Sequence, residues 1–172
     1  MDTSVLISYI GENKSHTFSR IKSARTIIKH FQNKGHYKLC YSERSEMELK
    51  EDKYRKILHQ FTLLGSHSLN LTWDKINLKV DNLYSIFGNI EELKVGNSLE
   101  EILPDKSKKN NENDRGIYGD AIFEKCDVIL HENPKDFSKF ENDAKKRNIL
   151  IINLLEINAN DVIKSIKQLN II

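Results

Sequence analysis

The sequence predicts an α/β protein, a three-layer α/β/α sandwich in which a central parallel sheet of about four to five strands carries helices on both faces. Three observations lead there. Short apolar runs at Val5-Leu6-Ile7, Leu39-Cys40-Tyr41, Val128-Ile129-Leu130 and Ile149-Leu150-Ile151-Ile152 are continuous rather than alternating, as strands buried on both faces require. Between them lie segments whose apolar residues recur at spacings of three and four, the period of an amphipathic helix. At 172 residues with 38% hydrophobic content, the chain is the size of one core, so a single domain over 1–172 is expected.

The elements follow in order. Val5-Leu6-Ile7 reads as a first strand, and Gly11 to Lys14 as a polar loop leading to a helix opened by Thr17 or Ser19. That helix places Ile21, Ala24, Ile27, Ile28 and Phe31 on one face and is expected to stop at a left-handed Gly35. Tyr37 to Tyr41 makes a second strand. Ser42 or Ser45 caps the next helix, whose stripe of Met47, Tyr54, Ile57, Leu58, Phe61 and Leu64 ends at Gly65. A further helix is predicted from Asp74 to Leu93, so the connection between the second and third strands is a helical excursion. Residues 105–113 lack any apolar side chain and read as a loop. Asp114 to Lys125 is helical, Val128-Ile129-Leu130 is a strand, Asp136 caps a helix bearing Phe137, Phe140 and Ala144, and Ile149 to Ile152 is the most apolar strand. Asn160 or Asp161 opens a last helix with Val162, Ile163, Ile166 and Leu169 inward.

Composition excludes several classes. With 27 basic and 25 acidic residues the net charge is only +2, so a nucleic-acid partner would be held by local patches rather than by a globally basic surface. Cys40 and Cys126 have no CxxC spacing and the six histidines form no HExxH, which argues against zinc and for two reduced, buried thiols. No apolar stretch reaches membrane-spanning length and no signal core opens the chain, so a soluble, cytoplasmic protein without membrane contact is expected.

The acids stand in informative places. Ligands of an open parallel sheet gather at the carboxyl ends of its strands. Glu48 lies in the first two turns of the helix leaving strand two, Asp114 opens the helix before strand three, and Glu132 follows that strand at once. Asp2 reaches the same edge if the first strand is very short. Carboxylates beside buried strands need a compensating cation or donors, so their recurrence points to a hard-metal site. Each also has an ordinary reading. Asp2 is a solvated terminal acid, Ser45 and Glu48 form a capping box, and Asp114 stabilises a helix start by about 0.3–1 kcal/mol. Asp120 reads as solvated, although a shifted register would promote it to the site, Asp136 as a helix cap and Asp127 as the polar start of a strand.

The ordered blocks Asp2-Thr3-Ser4-Val5-Leu6-Ile7, Ser42 with Glu48-Leu49, and Asn113-Asp114-Arg115 through Ala121 with Asp127-Val128-Ile129-Leu130 and Lys135-Asp136-Phe137 resemble a PIN domain. This family of metal-dependent nucleases includes the toxin ribonucleases of bacterial and archaeal toxin–antitoxin pairs. The resemblance implies endonucleolytic cleavage of single-stranded or looped RNA. It implies Mg2+ or Mn2+ held by Asp2, Glu48, Asp114 and Glu132, with Ser4 and Asn133 orienting the ligands. Lys50, Lys53 and Arg115 would touch phosphate, as would Lys106, Lys108 and Lys109, although such lysines are ordinarily a solvated helix face. A cognate antitoxin or other protein partner and a homodimer fit the same family.

Two departures stand out. The strand half expected before Asp2 is almost missing, so either the natural chain begins upstream of Met1 or the terminal amine lies near Asp2 and lowers its pKa. Glu132 replaces the aspartate expected after the third-block strand. Both departures favour an alternative, a catalytically silent PIN-like module that binds RNA or a protein. A dehalogenase-type phosphatase would require a second aspartate where Ser4 stands.

Overall fold

A computed structural model describes residues 1–11, 17–49, 52–64 and 109–169. The described elements are α1 (Thr3–Ile10), α2 (Phe18–Gln32), β1 (Cys40–Ser42), α3 (Glu43–Glu48), α4 (Asp52–Leu58) and β2 (Thr62–Leu64). They continue with α5 (Lys109–Phe123), β3 (Val128–His131), α6 (Pro134–Phe137), a 3-10 turn (Ser138–Phe140), α7 (Glu141–Lys146), β4 (Leu150–Asn153) and α8 (Ala159–Leu169).

The strands form two parallel pairs. β1 lies on β2 with Tyr41 opposite Leu63, and β3 lies on β4 with Leu130 opposite Ile152. Met1 and Asp2 touch both pairs: the Met1 ammonium donates to Cys40 O at 2.7 Å, and the Asp2 N–H donates to Leu130 O at 2.9 Å. Asp2 is thereby level with the carboxyl ends of β1 and β3.

The β3–β4 pair is covered on both faces. Leu130 and Ile152 enter one core with Val5, Leu6, Ile27, Ile28, Val162 and Ile166 from α1, α2 and α8. Their neighbours Ile129 and Ile151 face a second core, built from Ile117, Tyr118 and Ala121 of α5 with Phe137, Phe140 and Ala144. Period-two alternation sends each strand's side chains to opposite cores, which is why both strands read as continuous apolar runs.

Several expectations are corrected. Val5-Leu6-Ile7 is helical, because Asp2 caps α1 and Gly11, at φ 78°, stops it. Arg25 Nε and Nη2 then donate to the terminal carbonyls of Tyr9 and Ile10, each at 2.8 Å. These end contacts and the burial of Val5 and Leu6 outweigh a strand propensity worth at most about 1 kcal/mol. Helix α2 ends at Gln32 without a left-handed Gly35; among the described glycines only Gly11 has positive φ.

The second strand begins at Cys40 rather than Tyr37. The long helix expected up to Leu64 divides into α3, α4 and β2, so its last apolar residues belong to a strand beside β1. Residues 109–113, read as loop, are the first turn of α5, and Asp136 falls inside α6 rather than before it. Asn158 opens α8, its Oδ1 accepting from the amides of Asn160 and Asp161 at 3.1 Å. The helix expected from Asp74 to Leu93 lies outside the described residues, as do Lys106 and Lys108. Among the described residues no helix is long and apolar enough to cross a membrane.

Candidate functional site

Three acid-bearing segments meet at the carboxyl edge of the strands. Asp2 is 5% exposed, and its Oδ2 accepts from the Ser4 amide at 3.1 Å and from the Ser4 hydroxyl. Burial pushes its pKa above the usual carboxylate range; the Ser4 bonds and the nearby terminal amine pull it back without prevailing. The expected lowering by the amine is therefore reversed, because desolvation of the carboxylate is the larger effect.

Glu48 sits at the end of α3. Ser42 caps that helix, its Oγ accepting from Arg44 N at 3.1 Å, so the capping box between Ser45 and Glu48 is not formed. Glu48 instead accepts from Thr3 Oγ1 through Oε2 and from Asn113 Nδ2 through Oε1, both at 2.5 Å. Thr3 and Asn113 are the chain neighbours of Asp2 and Asp114, so Glu48 ties the first and third acidic segments together. Asp114 lies in the second turn of α5 rather than at its start, half-buried, with Oδ2 shielded from solvent.

Glu132 has a different environment. It is 5% exposed, and its Oε2 accepts from Ser8 Oγ at 2.6 Å, from Arg20 Nη2 at 2.6 Å and from Arg20 Nε at 3.1 Å. Its amide donates to Ser4 Oγ at 3.1 Å. A bidentate guanidinium and a hydroxyl on one oxygen give Glu132 its counter-charge from within the chain. The backbone of the neighbouring Asn133 meets His131 Nδ1, its amide donating at 3.2 Å in one ring tautomer and its carbonyl accepting at 3.0 Å in the other.

Asp120 is fully buried, contrary to its reading as solvated: Ser42 Oγ donates to its Oδ2 at 2.5 Å and Arg44 Nε stands 3.8 Å away. Through Ser42 it steadies the start of α3, the helix that carries Glu48. Arg115 is only 3% exposed and is no surface cation. Its Nη1 has no hydrogen-bond acceptor among the described residues. Lys50 and the side chain of Lys53 lie outside the described residues.

Sequence reasoning missed Arg20, Ser8 and the role of Thr3, and it read Asp120 as solvated. The signal for Arg20 is faint: a lone arginine in the first turn of α2, remote in sequence from its acid. Among the described residues no three Asp, Glu, His or Cys side chains are gathered as a ready metal cage. Comparison with protein-family models, with curated proteins and with solved structures finds no match.

Proposed function

We propose that the protein is a metal-dependent endoribonuclease that hydrolyses RNA phosphodiester bonds, with Asp2, Glu48 and Asp114 as the carboxylates that hold Mg2+ or Mn2+. One observation carries this reading: the two oxygens of Glu48 are shared between the neighbours of Asp2 and Asp114, at 2.5 Å each. An all-oxygen, anionic donor set suits a hard divalent ion and not a soft one. The backbone frame draws the acids to one edge, while the Asp2 carboxylate rests on Ser4 and that of Glu48 on Thr3 and Asn113. Bound there, the ion would supply Lewis acidity toward the phosphodiester and lower the pKa of a water.

The chain's own residues have distinct tasks in this reading. Ser4 fixes the direction of the Asp2 carboxylate, and Thr3 and Asn113 do the same for Glu48. Glu132 is an ion-pair anchor that joins β3 to α2, so the ligand set is three acids rather than four. Met1–Asp2, bonded to β1 on one side and β3 on the other, acts as a minimal central strand that unites the two pairs. A toxin role opposed by a cognate antitoxin belongs to the same proposal. It predicts arrested growth on expression, relieved in Asp114→Asn.

A second reading is a catalytically silent module that binds RNA or a protein partner. It is favoured by the Arg20 ion pair on Glu132 and by the lack of a gathered acidic trio among the described residues. Cleavage of single-stranded RNA with Mn2+ separates the two. Asp114→Asn is expected to reduce cleavage by more than the roughly 10–100-fold lost when residues that merely support metal ligands are changed, with no change in melting temperature in EDTA. A wild-type protein that cuts no RNA in Mn2+ establishes the silent module instead.

A further inference from the structure

The acid that follows β3 is balanced by the chain itself. The side chain of Glu132 is only 1% exposed, and its Oε2 accepts from Arg20 Nη2 at 2.6 Å, Arg20 Nε at 3.1 Å and Ser8 Oγ at 2.6 Å. A carboxylate this deeply placed needs a positive partner, and a planar guanidinium supplies it through two charge-assisted bonds in a fixed geometry. Three elements hold the arrangement: Glu132 follows β3, Ser8 lies on α1 and Arg20 in the first turns of α2.

This ion pair adjoins one of the candidate metal carboxylates. Ser4 Oγ donates to Asp2 Oδ2 and accepts from the Glu132 amide at 3.1 Å, so one hydroxyl joins the two acids. Ser4 and Ser8 stand four residues apart on one face of α1, the first serving Asp2 and the second Glu132. The two carboxylates are therefore served by neighbouring turns of one helix. They differ in their donors. The hydrogen bonds to Asp2 and Glu48 come from Ser4, Thr3 and Asn113, which are uncharged, whereas Glu132 has a cation.

Resting on the nuclease reading, we propose that Arg20 is a resident cation that fixes the metal content of the site at one divalent ion per chain. Phosphodiester hydrolysis is served by one ion or by a pair, and a pair needs further carboxylate charge to hold it. Arg20 withdraws Glu132 from that supply and leaves Asp2, Glu48 and Asp114 to a single ion. A guanidinium stays protonated at every working pH, so the limit holds whatever the metal concentration. Without Arg20, a buried carboxylate is left with a serine hydroxyl and no counter-charge, an all-oxygen setting that suits a hard divalent ion and its waters. The Arg20 side chain is 25% exposed and lines the open cleft between α2 and the β4–α8 connection, so the space it vacates is reached from solvent.

The test counts bound Mn2+ by electron paramagnetic resonance of the free ion during titration, near neutral pH and without RNA. The wild type is expected to bind one ion per chain and Arg20→Gln two. Arg20→Lys, which keeps the charge, is expected to stay at one. Combining Arg20→Gln with Glu132→Gln is expected to return the count to one, which ties the added ion to that carboxylate. Two ions in the wild type overturn the proposal, as does a single ion in Arg20→Gln, and both results leave the nuclease reading standing. The wild-type count decides where Arg20→Gln does not fold. No ion in the wild type but one in Arg20→Gln supports the part given to Arg20 and overturns the three-carboxylate site. No ion in either overturns both.

Discussion

His131 ends β3 with its ring stacked on Phe137, the centroids 4.8 Å apart and the planes at 27°, and is 3% exposed. Burial holds its pKa below the usual histidine value, while the Asp2 carboxylate draws it partly back up. The folded state therefore prefers the neutral ring, and an unfolded chain takes up the proton more readily. The stabilising contribution is present above about pH 6.5 and is lost as pH falls through the depressed folded value. Asp2 acts in the opposite sense: its raised pKa makes its contribution greatest below about pH 4, and it declines as pH rises through the folded value. A melting series from pH 7.5 to 5 on the wild type and on His131→Phe, which keeps the stacking, separates the two. The wild type is expected to lose more melting temperature across that window than the variant, and parallel curves would show that His131 carries none of the slope.

At the scale of elements, the junction of α3 with α5 turns on Gly116. A Cβ there would stand 2.0 Å from Arg44 Nε and 2.3 Å from its Cδ. Glycine inside a helix ordinarily costs about 1 kcal/mol relative to alanine, so Gly116→Ala would stabilise an isolated α5. Here the overlap prevails, because moving Arg44 draws positive charge away from the fully buried Asp120. Chemical denaturation is expected to show Gly116→Ala destabilised by about 1–3 kcal/mol, in the range of overpacked sites. A stabilised variant would show that Arg44 relaxes without consequence.

The same elements explain what was legible in the sequence. Helices α2 and α8 and strands β3 and β4 were readable because long periodic faces and unbroken apolar runs leave little choice. Helix α1 was not, since Val5-Leu6-Ile7 has strand propensity and the deciding contacts come from Asp2, Gly11 and Arg25 at its ends. Strand β2 was hidden because Leu64 continues the apparent stripe of the preceding helix. The meeting of the segments around Thr3, Glu48 and Asn113 at one edge was foreseeable from strand polarity. The ion pair of Arg20 with Glu132 was not, because the two lie far apart in sequence and meet only in the folded chain.

Over the whole molecule, stability and metal affinity are expected to be linked, since the acids come from three distant segments that only the fold brings to one edge. An ion that binds the folded state and not the unfolded chain stabilises it by about 2.7 kcal/mol at a concentration 100-fold above its Kd. For a chain of this size each kcal/mol is worth roughly 2–4 °C, so saturating Mn2+ should raise the melting temperature by roughly 5–11 °C, reversibly with EDTA. Asp114→Asn and Glu48→Gln should lose most of that rise. Glu132→Gln should behave differently, lowering the baseline stability while keeping the response to Mn2+. Its loss should be smaller than the roughly 3–5 kcal/mol of breaking a fully buried ion pair, because the Arg20 side chain is 25% exposed and can be rehydrated. A wild type indifferent to Mn2+, or an Asp114→Asn that responds as the wild type does, would refute the three-carboxylate site. A Glu132→Gln variant whose response disappears would restore Glu132 as a ligand and show that Arg20 yields its place when the ion arrives.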